Sequence, residues 1–332
     1  MTDVATASPT RSAWLTLDLW RGLFRDRPII PLSGLLVLLI IVFAIVSPRS
    51  MGPAFVGIIS RAAIPLALLA GCQTLAMLTG GIDLSVGAIA SMAGFVTAAL
   101  EPNIGLPAAL TVALVAAAVA GLVSGVGVGV FRVHPLIMTL GMSLVVLGLA
   151  NAFQLVIVKT SSGVPDEVRS IGSDTIGNVL PYSLVVFLPV AALIIVGLRR
   201  SGYGRMLFAI GDNPIAARLS GARAWQVLIV LYIVSAVLAA IAGVLISGFT
   251  NVAAVTLADV YVLPSVAAAV IGGTSILGGR GGYGGTIVGA LILTVVSSLL
   301  GNLGFPEAVR QILFGAIIVV VAAAYTRVTG ET

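Results

Sequence analysis

The sequence is poor in charge, cysteine and histidine. Only 9% of its 332 residues are charged, and it contains one cysteine, Cys72, and one histidine, His134. A single cysteine excludes an internal disulfide and a cysteine-rich metal site. A single histidine leaves little for a metal site or a catalytic triad. Average soluble domains carry about 25% charged residues, so an ordinary soluble enzyme is excluded, and we expect no catalytic residue and no metal.

What the sequence has in abundance is apolar residues. The hydrophobic fraction is 59%, and the mean hydropathy is +1.18. Seventeen basic and twelve acidic residues give a net charge of +5, but the basic residues form no long patch. A nucleic-acid partner is therefore not expected, because such partners require a clustered basic surface. The composition instead predicts a chain embedded in a lipid bilayer.

The spacing of the charges predicts the architecture. A membrane helix needs roughly 20 apolar residues to cross the hydrocarbon layer, and its backbone groups must bond within the segment. Ten runs of at least 16 residues contain no charge: 28–48, 62–82, 84–100, 102–131, 133–158, 175–198, 224–258, 260–279, 281–306 and 311–326. We therefore predict an all-α, polytopic membrane protein with about ten transmembrane helices. The short runs 84–100 and 311–326 can be tilted or partly re-entrant.

The distribution of basic residues predicts the orientation. An even number of spans places both termini on one side, and that side would hold twelve of the seventeen basic residues. Basic loops stay in the cytoplasm, so both termini are expected there. The predicted parts are a cytoplasmic tail at 1–27, a transmembrane domain at 28–326 and a cytoplasmic tail at 327–332. Within the domain, the longest loops are a periplasmic one at 159–180 and a basic cytoplasmic one at 199–223.

Two glycine-rich motifs interrupt the apolar runs. In the first, at 80–87, paired glycines can break a helix, and Asp83 or Ser85 can cap the next one. Alternatively, Asp83 faces a water-filled pathway, because membrane acids usually face protein or water. The second, at 272–286, has eight glycines in fifteen residues but no lysine, so a phosphate loop is excluded. It predicts a tight turn, and the two matched breaks predict a weak internal repeat.

A third motif, at 211–221, predicts a short helix in the basic loop. Asp212 or Asn213 can cap its start, Pro214 suits the first helical position, and Gly221 suits the position after its end. Ile215 and Leu219 would form its apolar side, with Arg218 beside them. Such a helix could dock on a partner protein or lie on the membrane surface.

Polar side chains within or beside the apolar runs are candidates for the lining of a pathway. Amide and hydroxyl groups suit a neutral substrate rich in hydroxyls, although a role in hydrogen bonds between helices is the alternative for each. The candidates are Gln73, Thr74, Thr79, Asp83, Ser85, Asn151, Gln154, Ser265 and Thr274.

Four motifs together resemble a known family. They are GGIDLSVG at 80–87, HPLIMTLGMSLVVLGLA at 134–150, AIGDNPIAARLSGA at 209–222 and GGTSILGGRGGYGGTIVGA at 272–290. In this order, the chain from about residue 50 to 326 resembles the permease subunit of sugar-type, ribose-transport-like ABC importers. The family often reads Gly-Met-Thr where this chain has the sequence GCQT at 71–74, which makes Cys72 and Gln73 candidates for an altered lining.

The resemblance implies partners and a location. It implies a second permease chain, identical or different, a cytoplasmic ATPase that holds ATP and magnesium, and a periplasmic sugar-binding protein. No cofactor is expected in this chain, and the location implied is the bacterial inner membrane. The segment 209–222 resembles the family's coupling helix, which sits in a groove of the ATPase, so its residues Asp212, Asn213, Pro214, Ile215, Arg218, Leu219 and Gly221 are the coupling candidates.

The function predicted from the sequence is therefore the pathway subunit of an ATP-driven importer of a small sugar or polyol. A secondary carrier driven by an ion gradient is the main rival, with a passive channel as a third option. Ion coupling usually needs carboxylates near the middle of the membrane, whereas the acidic residues here lie at or beyond the ends of the charge-free runs. Within the ABC class, a branched-chain amino-acid permease is the nearest alternative.

Overall fold

The structure, a computed structural model, describes residues 29–156, 163–177 and 179–329. The predicted tail at 1–27 and the residues 159–162 of the predicted periplasmic loop lie outside the described residues. The elements are α1 Ile29–Val46, α2 Phe55–Leu78, α3 Val86–Ile104, α4 Leu106–Gly129, α5 Pro135–Val156, α6 Asp166–Ser173, β1 Thr175–Ile176, β2 Leu180–Pro181, α7 Ser183–Arg200, α8 Gly202–Asp212, α9 Pro214–Leu219, α10 Ala224–Thr250, α11 Val262–Ile271, α12 Tyr283–Asn302 and α13 Glu307–Thr329, with short 3-10 turns at Pro48–Ser50 and Asp259–Tyr261.

The all-α membrane architecture is confirmed, but the count of ten spans is not. Among the described residues, seven helices are long and apolar enough to cross a membrane: α1, α2, α4, α5, α7, α10 and α12. Each of the ten charge-free runs overlaps a helix, yet the helix in the run 260–279 ends at Ile271. At 1.5 Å per residue, α11 is only about 15 Å long, half of the roughly 30 Å of hydrocarbon. The glycine-rich motif ends this helix early.

Helix α10 lies at the centre of the bundle because small residues let its neighbours approach closely. Residues with small side chains recur every four positions along one face of α4: Ala109, Ala113, Ala117, Gly121, Gly125 and Gly129. A Cβ atom added at Gly121 would overlap the Tyr232 carbonyl oxygen, and one at Gly125 would lie 2.6 Å from the Ile229 Cα. This spacing places the stripe on one helix face, where it contacts α10 along its length.

Helix α3 is an interior helix. Its residues from Val86 to Ala99 are all buried, and it crosses α10 where a Cβ atom at Gly243 would overlap the Ala90 carbonyl oxygen. The short run 84–100 is therefore enclosed by the chain's own helices. Because other helices of the chain surround α3, it does not need a long apolar face toward lipid.

The two ends of the bundle differ in charge and structure. We call the end with Arg199, Arg200, Arg205, Arg218 and Arg223 the arginine end; it carries α8 and α9. The opposite end of α7 carries α6 and the hairpin, in which Thr175 pairs with Pro181. Helix α6 is fixed there, because Gly172 contacts Gly248 of α10 and Arg61 of α2 donates to the Ser173 carbonyl oxygen.

Candidate functional site

The first glycine motif separates α2 from α3 by a non-helical break at 79–85. Helix α2 is followed by Gly80 at φ +77°, the left-handed conformation that glycine adopts without a Cβ penalty. The Gly80 amide donates to the Met77 carbonyl oxygen at 2.9 Å, and the Gly81 amide donates to that of Ala76 at 3.0 Å. These two bonds form a Schellman motif, so the last carbonyl groups of α2 are satisfied locally.

Side chains from two helices hold the backbone of this break. The Gln73 side chain donates from Nε2 to the Asp83 carbonyl oxygen at 2.7 Å, and its Oε1 accepts from the Asp83 amide at 3.2 Å. From α5, the Thr139 hydroxyl donates to the Ile82 carbonyl oxygen at 3.2 Å and accepts from the Leu84 amide at 3.1 Å. The side chains thus replace the missing helical hydrogen bonds of three consecutive residues.

The Asp83 carboxylate is buried inside the bundle. It is 1% exposed, and its Oδ1 accepts from the Ser85 amide at 3.0 Å and the Ser85 hydroxyl at 2.6 Å. Its Oδ2 accepts from the Ser235 hydroxyl of α10 at 2.9 Å. Ser235 lies eleven residues after the start of α10, about 17 Å along that helix. Asp83 lies at the end of a charge-free run in the sequence, yet the break places its side chain inside the bundle.

The second glycine motif forms a matching break, at 272–282. Helix α11 ends in the same hydrogen-bond pattern, with Gly273 at φ +88° and the Thr274 amide donating to the Ala269 carbonyl oxygen at 3.0 Å. The second break contacts the end of α2, because the Gly279 amide donates to the Leu78 carbonyl oxygen at 3.0 Å. Broken helices at both motifs are thus present, whereas the internal repeat stays a prediction.

Most other pathway candidates on α2, α11 and the second break make contacts within the chain. The Thr74 hydroxyl lies 2.7 Å from that of Thr286 in α12, and the Thr274 hydroxyl lies 3.5 Å from it. The Ser265 hydroxyl donates to the Val262 carbonyl oxygen of its own helix at 2.7 Å, and that of Thr79, which is half-buried, donates to Ala76 at 2.9 Å. Their part in a pathway stays a prediction.

Asn151 and Gln154 differ, because both are exposed on α5. The Asn151 side chain donates to the Leu147 carbonyl oxygen at 2.8 Å, and Gly141 and Gly148 have no other atom within 4 Å of a Cβ position. Helix α5 packs against this chain through the face that contains Thr139, Met142, Val146 and Ala150. Asn151 lies away from this face, and Gln154, four residues after Ala150, continues it beyond the packed part, so both amide side chains are uncovered in the single chain.

The short helix α9 forms as its sequence predicts. Asn213 is the N-cap, and its Oδ1 accepts from the Ile215 and Ala216 amides at 3.0 and 2.9 Å. Pro214 is the first helical residue, and Gly221 follows the end with φ +85°. Asp212, the other possible cap, instead ends α8.

The apolar side of α9 faces away from the chain. Ile215 is 73% exposed and Leu219 is 85% exposed, whereas Ala217 packs inward. Beside them, an open groove of about 480 Å³ between α8 and α9 is lined by residues that include Arg205 and Met206. Two large apolar side chains without cover, four residues apart on a capped helix, are typical of a docking surface.

Helix α8 fixes α9 to the bundle. Leu207 and Ile210 of α8 are buried, and the Tyr203 hydroxyl donates to the Val227 carbonyl oxygen of α10 at 3.0 Å. Burial raises the pKa of the Tyr203 phenol, so this group stays a neutral donor. Helix α9 is therefore attached to a rigid element.

Sequence reasoning missed three residues that contact the candidates: Thr139, Ser235 and Thr286. Each is a hydroxyl residue within a charge-free run, so the signal that selected Thr74 and Ser265 could also have found them. The described residues contain no group of three histidine, cysteine or acidic side chains that could hold a metal ion.

Comparison with known proteins identifies the family. Residues 55–322 match the family model described as "Branched-chain amino acid transport system / permease component". The chain is 33% identical to the fructose import permease protein FrcC of Rhizobium meliloti over 297 residues, covering 87% of this chain and 82% of that protein. It is 31% identical to the ribose import permease protein RbsC of Bacillus subtilis over 295 residues, covering 87% and 90%.

A third relative is the galactofuranose transporter permease protein YtfT of Escherichia coli, which is 32% identical over 270 residues, 80% of this chain and 77% of that protein. No solved structure matches. The resemblance drawn from the four motifs is thus confirmed, and the chain belongs to the family of membrane permease components of ABC import systems.

Proposed function

We propose that this chain forms the translocation pathway of an ATP-driven importer for a small sugar or polyol. The observation that carries the proposal is the similarity to relatives named for fructose, ribose and galactofuranose over most of the chain. These names favour a sugar over a branched-chain amino acid, although the family model carries the latter in its description. The chain itself performs no catalysis in this proposal and holds no cofactor.

The ATPase would act on the permease through its contact with α9. Ile215 and Leu219 would insert into an apolar groove of a cytoplasmic ATPase, which binds ATP and magnesium, with Arg218 at the rim. The support is the exposure of both apolar side chains on a helix that its own caps hold in shape. The alternative is a helix that lies flat on the membrane surface, and loss of the ATPase in Leu219→Asp distinguishes protein docking from it.

The pathway would lie between two permease chains, identical or related. The uncovered face of α5 supports this arrangement, because the exposed amides of Asn151 and Gln154 are costly against lipid. In a water-filled pathway they could donate to and accept from the hydroxyl groups of a sugar. Gln73, Asp83 and Ser85 would act behind this surface by fixing the shape of the break.

The orientation in this proposal places the arginine end in the cytoplasm of a bacterial inner membrane, with both termini. A periplasmic binding protein would deliver the substrate to the opposite end, beside α6. Cysteine labelling tests it in a Cys72→Ala background. An impermeant reagent should label Glu167→Cys in intact cells and Ser220→Cys only after permeabilisation; the reverse pattern would show the opposite orientation.

Reconstitution tests the function itself. The chain would be placed in liposomes with its ATPase and binding protein, and uptake of a panel of labelled sugars and amino acids would be measured. Sugar uptake that requires both ATP and the ATPase is the expected result. Because Asp83 is a buried carboxylate, a second arm omits the ATPase and imposes a proton or sodium gradient. Uptake in that arm would replace the proposal with an ion-coupled carrier.

A further inference from the structure

The three sequence motifs of the chain meet at one point. Gly211, at the end of α8, lies against Leu78, the last residue of α2, and against Gly279 of the second break. A Cβ atom at Gly211 would overlap the Leu78 carbonyl oxygen. One at Gly278 would lie 2.8 Å from the Gly211 carbonyl oxygen and 3.1 Å from the Gly80 amide nitrogen. We call this contact of residues 78–80, 211–212 and 278–279 the glycine junction.

The glycine junction is made of backbone. The three atoms nearest to a Cβ position at Gly211 and at Gly278 are all main-chain atoms. The Gly279 amide also satisfies the Leu78 carbonyl group, one of those that a helix end leaves without a partner. A side chain can absorb a displacement by changing its rotamer, whereas closely packed backbone transmits it. The contact is therefore stiff.

Both sides of the junction connect to the elements of the proposed function. On one side, Gly211 lies three residues before Pro214, where α9 begins. On the other side, Leu78 lies five residues before Asp83, whose backbone Gln73 holds. The turn that contributes Gly278 and Gly279 is itself closed, because the Ser275 amide donates to the Arg280 carbonyl oxygen at 2.9 Å.

We propose that the glycine junction carries the displacement of the docked α9 to the breaks that end α2 and α11, and that Gly211 is the residue that sets this contact. The proposal rests on the proposed function, because it requires an ATPase on α9. Movement of the ATPase would shift the end of α8 against Leu78 and Gly279. Both breaks would move together, because a hydrogen bond joins Gly279 of the second break to Leu78, the residue before the first. Packed contacts and rigid elements are one physical route for such coupling, and the junction provides both.

The test compares Gly211→Ala with Gly197→Ala in the complete complex of permease, ATPase and binding protein. Gly197 lies in α7 and has no atom within 4 Å of a Cβ position, so its alanine variant is the matched control. We expect the Gly211→Ala complex to retain its ATPase and its ATP hydrolysis, while substrate transported per ATP falls roughly tenfold or more. An unchanged ratio of transport to hydrolysis in Gly211→Ala would overturn the proposal.

A second measurement uses the wild-type complex, so it does not depend on how Gly211→Ala folds. Hydrogen exchange would be followed in peptides covering 214–219 and 276–282, with and without ATP and vanadate. We expect exchange at the Gly279 amide to change together with that of α9. A change at α9 with none at 276–282 would refute the transmission. A wild-type complex that binds no ATPase would instead refute the proposed function.

Discussion

The break at 79–85 and the short helix α9 are built from similar sequence elements but lie in opposite environments. Each joins two helices, and each is bounded by a glycine at positive φ, Gly80 or Gly221. In the break, side chains from other helices bind the backbone, and Asp83 is buried. In α9 the side chains that bind the helix ends are local, those of Asn213 and Ser220, and Ile215 and Leu219 face outward. Local capping therefore defines where a segment bends, while the partners of its side chains determine whether it supports the fold or binds another protein.

The largest expected effect is on the stability of the buried break at 79–85. Gln73→Leu leaves the amide and the carbonyl group of Asp83 without partners, and each unsatisfied buried group costs about 1–3 kcal/mol. We expect the free energy of unfolding to fall by roughly 2–6 kcal/mol. Thermal unfolding of the purified permease in detergent measures this. Gln154→Leu, at an exposed position of α5, is the control and should unfold as the wild type does. Equal stability of both variants would show that the hydrogen bonds of Gln73 do not stabilise the break.

The next largest expected effect is on the binding of the ATPase to the exposed helix α9. Leu219→Asp should insert and fold normally but lose the ATPase, because it places a charge in an apolar contact. Truncation of a packed leucine costs about 2–5 kcal/mol, and a partly enclosed docking surface should show the lower part of that range, roughly a 30-fold loss of affinity. Co-purification of the tagged permease with its ATPase measures it. Leu219→Met should keep the partner; retention by Leu219→Asp would place docking elsewhere.

A smaller effect tests whether the cap of α9 serves the docking surface. Asn213→Ala removes the acceptor of the Ile215 and Ala216 amides, and loss of an N-cap costs about 1 kcal/mol. We expect the ATPase to bind roughly fivefold more weakly. Asn213→Asp supplies an equivalent acceptor and should bind as the wild type does. If Asn213→Ala binds the ATPase as tightly as Asn213→Asp does, α9 does not need its own cap, and contact with the ATPase keeps it helical.

Features set by neighbouring residues, such as helix caps, could be predicted well from the sequence. Contacts between residues far apart in the sequence could not. The cap at Asn213, the proline at the start of α9 and Gly221 after its end follow from neighbours within ten residues. The partners of Asp83 could not be predicted in this way, because Ser235 lies 152 residues away and many hydroxyl residues occur in the apolar runs. The length of α11 was also missed, since a charge-free run does not show where glycines end a helix.

The smallest expected effect separates apolar docking from electrostatic docking. Arg218 is exposed beside Leu219, and an exposed ion pair contributes about 0–1 kcal/mol. Arg218→Ala should therefore weaken ATPase binding less than about fivefold, and only at low salt, because ions screen exposed charges. Binding measured at two salt concentrations, with Arg280→Ala in the second break as the comparison, checks this. A loss with Arg218→Ala as large as with Leu219→Asp would make the contact electrostatic. A larger loss with Arg280→Ala would move the docking contact to the second break, and α9 would then be a neighbour of that surface and not its centre.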